Sequence, residues 1–239
     1  MPPKKIKDTK IYTKMDPRSH ILLRPDMYVG STKNRKDTEF IAVKDQDGIY
    51  HITKSVIDFS PGLLRIFIEI LSNSIDNVQR SKNTETPVTQ IRININRLTG
   101  ETSVWNDGDI IPIEINAEHS IYNHSLIFGH LLTGSNYDDT EERITSGTNG
   151  IGSKLTNVFS TVFTVKGVDT YNEKMLIQTW NNNMSVVGTP IITTVKSTKG
   201  FTEITYIPDF ARFELIGYND DIINLYTKWK LKQGNYKNC

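Results

Sequence analysis

The feature that most constrains this chain is the stretch from Gly62 to Arg80, where Leu63, Leu64, Phe67, Ile70, Leu71, Ile75 and Val78 recur at helical spacing. Pro61 suits the start of such a helix, and the run Ser81-Lys82-Asn83-Thr84 suits its end. At roughly 100° per residue, Glu69, Asn73, Asp76 and Arg80 fall on a stripe about 60° wide, away from the apolar arc, with Asn77 on its edge. Glu69 and Asn73 are therefore neighbours one turn apart. That pairing suits a carboxylate that takes a proton from water beside an amide oxygen on Mg²⁺, an ion that keeps several waters and leans on phosphate oxygens. On the helix alone, a solvated polar face is the simpler reading.

A second motif changes the balance. Gly147-Thr148-Asn149-Gly150-Ile151-Gly152-Ser153-Lys154 is rich in glycine and precedes a plausible helix over Ser153 to Ser160. Glycines in a row usually mark a turn. Backbone N–H groups behind bare glycines at a helix start also form an anion site. A P-loop nearly fits, but its lysine follows the last glycine directly and precedes Ser or Thr; here Ser153 intervenes and the order is Ser-Lys. A P-loop would also leave the Glu69 to Asn77 stripe unexplained. A base for water, an amide for a metal and a loop for phosphates are together the parts of an ATPase.

Between the motifs, Gln90 to Asn96 alternates strictly and predicts a strand, with Thr102 to Trp105 as its hairpin partner. Asn106 then sits where that second strand ends, a place from which a short amide can pair with the amino edge of a purine. Taken bare, Asn106-Asp107-Gly108 is simply a turn. Residues 31–60 predict a hairpin turning at Asp47-Gly48 and lying over the domain. Ser125 to Leu132 predicts a helix. Strands are expected at Val162–Val168, Met175–Trp180, Ile191–Val195 and Phe201–Tyr206, and a last helix from Asp220 to about Leu231. Helices early and antiparallel strands late predict an α/β two-layer sandwich, a mixed, mostly antiparallel sheet with helices on one face.

These residues resemble the N-terminal ATPase domain of eukaryotic-type DNA topoisomerase II. That domain belongs to the Bergerat-fold (GHKL) ATPases, shared with gyrase, heat-shock chaperones and mismatch-repair proteins. The class-wide signs are the Glu69–Asn73 helix, the segment from Asn106 to Ile113 and the Gly147–Lys154 loop. Signs particular to topoisomerase II are His20-Ile-Leu-Leu-Arg-Pro-Asp-Met-Tyr-Val-Gly30-Ser, Leu131-Leu-Thr-Gly-Ser-Asn-Tyr-Asp-Asp139, Gly150 to Ser160 and Gln178-Thr-Trp-Asn-Asn-Asn-Met184. The resemblance runs from about Lys10 to Tyr226. It implies that Glu69 is the general base and that Asn73 coordinates Mg²⁺ bridging the phosphates of ATP. It further implies that Asn77 lines the nucleotide pocket, that Asn106 sits near the adenine, and that Gly134, Ser135 and Asn136 contact ribose and phosphate. The backbone of Gly147, Thr148, Asn149, Gly150, Ile151, Gly152, Ser153 and Lys154 would close over the triphosphate, with the Lys154 charge offsetting the phosphates. Tyr12 matches a tyrosine of the family's N-terminal strap, which reaches the partner subunit's nucleotide.

Three departures qualify the match. Ile110 stands where the class has the second glycine of Asp-x-Gly-x-Gly, and a β-branched residue does not readily take φ > 0. Thr148 replaces an arginine, and Gly134 replaces a serine. These touch nucleotide affinity more than activity and suggest a divergent member, viral or protist.

The resemblance also implies domains and partners: a mobile arm at 1–10, the ATPase domain at 11–220, and at 221–239 the start of a connection to a following domain that supplies a lysine to the γ-phosphate. A homodimer closing around ATP is expected, and double-stranded DNA as the partner of the full-length enzyme, with no membrane. Two other classes are open, a chaperone or mismatch-repair ATPase and a nucleotide-gated dimerisation module with little turnover.

At 239 residues the chain can bury a substantial core, and a formal net charge of +1 is unlike a domain whose main task is gripping DNA. A single cysteine, Cys239, excludes internal disulfides and fits a reducing compartment. Pro2-Pro-Lys-Lys-Ile-Lys7 reads as a solubilising tail before it reads as a nuclear address. With no apolar run of membrane-spanning length and no signal peptide, a nuclear, virus-associated or cytoplasmic location is expected. The five histidines show no ligand spacing with Cys or acidic partners.

Overall fold

In a computed structural model, residues 14–131 and 151–233 are described. A short helix, α1 (Pro17–Leu23), comes first. The hairpin β1 (Arg35–Lys44) and β2 (Tyr50–Phe59) forms a separate two-stranded sheet. Helix α2 (Pro61–Ser81) follows, then strands β3 (Ile91–Asn96) and β4 (Glu101–Asp107). Two short helices come next, α3 (Asn123–Gly129) and α4 (Gly152–Val158). The strands β5 (Ser160–Asp169), β6 (Lys174–Asn181), β7 (Val186–Val187), β8 (Ile191–Thr194) and β9 (Phe201–Pro208) precede helix α5 (Asp220–Gln233). The main sheet has the order β3-β4-β9-β5-β6-β7, with β8 also on β6, and every pairing among the described residues is antiparallel.

Helix α2 forms because its apolar residues fall on one arc and its start is capped. Pro61 occupies the first turn, and Ser60 accepts from Leu63 N while donating to the Thr32 carbonyl at 3.1 Å. Its buried arc, Leu63, Ile66, Phe67, Ile70 and Leu71, joins Phe163, Val165, Leu176 and Trp180 from the sheet in one core. The end helix α5 packs into the same core: Ile222, Leu225 and Tyr226 are buried, the Tyr226 ring stacks on Phe67 with centroids 3.9 Å apart, and its hydroxyl donates to the Leu63 carbonyl at 2.9 Å. The segment expected to open a connection from 221 onward is thus packed against α2. Hairpin β1–β2 lies against α5, as a cover over the domain, with Ile41, Ile57 and Phe59 inward.

Some boundaries move. Helix α3 runs from Asn123 to Gly129, two residues earlier than the apolar run suggests. It stops where a Cβ on Gly129 would come 2.8 Å from the Trp180 ring. Helix α1 was not expected; Asp16 caps it by accepting from Ser19 N at 3.0 Å, with Pro17 at its first position. Ile110 does not adopt positive φ; Gly108 does, at 91°, and the Ile110 side chain occupies the space where a Cβ on Gly200 would stand, 2.5 Å away. The turn therefore differs from the glycine-glycine form.

One buried group makes the fold acid-sensitive. His124 is wholly buried, neither ring nitrogen has a hydrogen-bond partner among the described residues, and bare Gly167 makes room for the ring. Burial pushes its pKa down to about 4, opposed by the charge of Asp169. The unfolded chain binds the proton first, so this contribution is complete above pH 6.5 and is lost as pH falls from there towards 4. Acid unfolding monitored by circular dichroism should show a loss on the order of 3 kcal/mol over that window. His124→Leu should flatten it.

Candidate active site

The polar stripe of α2 is not a solvated face. Glu69, Asn73 and Asp76 are half-buried and Asn77 is buried. The Glu69 carboxylate lies between two partners. Arg65, one turn earlier on the exposed side, places Nε 2.5 Å from Oε1. On the other side is the first residue of α4, where a Cβ on Gly152 would fall 2.0 Å from Oε2. The two motifs read separately from the sequence therefore meet at one carboxylate. Burial raises the Glu69 pKa above its ordinary value; Arg65 opposes the rise, and the charge of Asp76 adds to it.

Two side chains of α4 tie it to two of its neighbours. Thr156 Oγ1 donates to the Ile66 carbonyl of α2 at 2.8 Å, and Asn157 Nδ2 donates to the Phe128 carbonyl of α3 at 3.0 Å. Ser153 and Lys154 are buried with the rest of the helix after Gly152, and Ile151 and Gly152 are half-buried. Burial lowers the Lys154 pKa to about 8, so the ammonium is still mostly charged at pH 7. A buried cation on the helix that abuts the candidate base is suited to polyphosphate.

Asn77 and Asn106 are both buried near the turn after β4. Asn77 Nδ2 donates to the Asp109 carbonyl at 2.9 Å, so it clamps that turn to α2. Asn106 Nδ2 donates to the Asp107 carbonyl at 3.0 Å. Asp107 carries the turn itself, accepting from Thr89 N, Gln90 N and the Thr89 hydroxyl. Gly108 is required because a Cβ there would meet the Val88 backbone at 2.5 Å. Gly134, Ser135, Asn136, Gly147, Thr148, Asn149, Gly150 and Tyr12 lie outside the described residues.

Arg65 was not singled out from the sequence, although its i, i+4 spacing to Glu69 is a readable signal. Thr156, Asn157 and Asp107 fall inside quoted motifs, but no individual role was read for them from the sequence. Among the described residues no three His, Cys, Asp or Glu side chains cluster to hold a metal. A donor set of one amide oxygen at Asn73 fits Mg²⁺ only when phosphate oxygens and water complete the shell.

The Arg65 pair yields a prediction. Arg65→Ala removes the group that holds the Glu69 carboxyl down, so the acid limb of any turnover–pH profile should move to higher pH, with Arg65→Lys intermediate. An unmoved limb would detach Arg65 from the chemistry.

The chain matches no protein-family model. It is 42% identical over 228 residues to the DNA topoisomerase 2 of Invertebrate iridescent virus 6, across 92% of this chain and 20% of that protein. It is 43% identical over 218 residues to the DNA topoisomerase 2 of Penicillium chrysogenum, across 90% of this chain and 13% of that protein. The chain thus spans about a fifth or less of the length of these curated relatives. Among solved structures, the ATPase region of Saccharomyces cerevisiae topoisomerase II superposes with a TM-score of 0.85 at 38% identity, covering 91% of this chain and 56% of that one. Identity at this level over nine-tenths of the chain, on the same fold, shows that the chain belongs to the DNA topoisomerase 2 family.

Proposed function

We propose that this chain is the ATP-binding and ATP-hydrolysing gate domain of a type II DNA topoisomerase. The observation that carries the reading is the placement of the Glu69 carboxylate, raised in pKa, between Arg65 and Gly152. Because the Arg65 guanidinium takes Oε1, Oε2 over Gly152 is the atom placed to receive a proton from water. Bare Gly152 lets the backbone of the following helix come close to that atom. Lys154 offsets charge on the phosphates, Asn77 and Asp107 keep the turn beside Asn106 in place, and Asn106 reads the adenine. Asn73 would hold Mg²⁺ together with phosphate oxygens; the ion would neutralise charge there. Gly134, Ser135, Asn136 and the residues from Gly147 to Gly150 complete the assignment by resemblance.

Membership of the family sets aside the chaperone and mismatch-repair alternatives. A second copy of the chain is the expected partner, brought together by ATP, and double-stranded DNA is engaged through a longer protein. No helix among the described residues is long and apolar enough to cross a membrane, and a nuclear, virus-associated or cytoplasmic setting fits work on DNA.

Calorimetric titration of a non-hydrolysable ATP analogue with Mg²⁺ tests the site. The parent should bind, and Asn73→Ala should weaken that binding more in Mg²⁺ than in its absence. Equal binding by the two proteins would remove Asn73 from the site. No binding by the parent would overturn the ATP reading.

A further inference from the structure

The turn between β6 and β7 is unusual: Asn182, Asn183 and Met184 all take positive φ, at 51°, 56° and 64°. Asparagine tolerates that region, but an unbranched apolar side chain seldom enters it. Such a backbone persists where its surroundings over-determine it. Here the surroundings are the rear of α4. Asn183 Nδ2 donates to the Val158 carbonyl at 3.0 Å, Asp209 N donates to the Phe159 carbonyl at 2.9 Å, and Asn183 N donates to the Ser160 carbonyl at 3.0 Å. Three successive carbonyls, from the last residue of α4 to the first of β5, are thus taken by this turn and by Asp209. Asn183 Nδ2 also reaches Asp209 Oδ2 at 3.1 Å, and Arg212 Nε lies 3.0 Å from the same oxygen. From the opposite side, Arg18 on α1 donates Nη1 to the Asn183 carbonyl at 3.1 Å, and α1 itself packs on α4.

We propose that Arg18 and Asn183 are positioning residues for the nucleotide site. The left-handed turn is the back-stop of α4, holding Gly152 against Glu69 and Lys154 in its buried place, and Arg18 ties the N-terminal helix to that back-stop. A displacement of α1 therefore pulls on the turn that closes the lysine-bearing helix. The mechanical part stands on the geometry alone; the effect on nucleotide rests on the ATP reading above.

Two readouts on the same variants separate these parts. Asn183→Asp keeps the residue's size and its tolerance of positive φ, but cannot donate to Val158 and faces Asp209. Arg18→Ala removes the tie, and Arg18→Lys keeps one donor. In hydrogen–deuterium exchange without nucleotide, Asn183→Asp and Arg18→Ala should speed exchange across 152–159 by about tenfold while α2 and β5 exchange as in the parent. Arg18→Lys should stay near the parent. In titrations with the Mg²⁺–ATP analogue, Arg18→Ala should weaken binding by about fivefold, and Arg18→Lys should restore it. The proposal is overturned if 152–159 exchanges at the parent rate in both loosening variants, or if α2 and β5 loosen equally. It is also overturned if α4 loosens while analogue affinity stays that of the parent. A parent that binds no analogue sinks the ATP reading and with it the nucleotide role of the two residues, while the exchange rates still decide whether the back-stop exists.

Discussion

Glu69→Gln is expected to leave binding of the ATP analogue within about twofold of the parent while lowering ATP turnover by about 10² to 10⁴, the range that a positioned general base contributes. The amide keeps the shape of the side chain and can still accept at one atom, so contacts in the resting site survive. It cannot take the proton that the attacking water must lose. The direction of the Glu69 pKa is part of the expectation: a carboxylate raised by burial is a better proton acceptor than an exposed one, and Arg65 opposes the rise. Steady-state phosphate release, measured with and without DNA beside a calorimetric titration, checks both halves. If binding fails together with turnover, Glu69 is holding the pocket together rather than accepting a proton. If turnover persists, another group is the base.

The parts of this fold that were legible from sequence are those with long, dense patterns. Helix α2 is found within a residue at either end because seven apolar positions share one arc and Pro61 marks the entry. The β3–β4 hairpin is likewise readable from strict alternation closed by Gly100, which takes φ 74°. Helix α1 and strand β7 escaped because seven residues and two residues hold too little periodicity, although the Asp16-Pro17 pair was a usable start signal. At the site, residue types and spacing along α2 single out Glu69 and Asn73 as candidates, and their roles come from the second motif and the resemblance. The rest depends on packing that no linear pattern encodes. That Asn77 spends its amide nitrogen on the Asp109 carbonyl follows from where the turn after β4 lands on α2. The replacement of a glycine by Ile110 is absorbed at a distant position, Gly200, whose missing side chain makes the room. Such compensation ties a departure in one motif to a residue outside every motif.

Gly152→Ala should strike turnover more than stability, and the reason is the contact between the two motifs. An added Cβ would fall 2.0 Å from Glu69 Oε2 and 2.9 Å from its carboxyl carbon. The group that must yield is the end of the Glu69 side chain, paired with the exposed Arg65, while Thr156 and Asn157 anchor α4 to α2 and α3. Overpacking of this kind costs about 1–3 kcal/mol, and here the displaced group is the proposed base, so turnover should fall at least as far as in Glu69→Gln. A double variant separates the two consequences. In Gly152→Ala with Glu69→Ala the clash is gone, so thermal stability should return most of the way to that of Glu69→Ala alone, while turnover stays lost. Differential scanning calorimetry on the four proteins of the cycle measures the coupling. Additive losses would mean that Gly152 is required for its own backbone conformation and that the carboxylate is not the group it makes room for. Strong coupling would tie the glycine to the carboxylate, as the geometry of α2 and α4 requires.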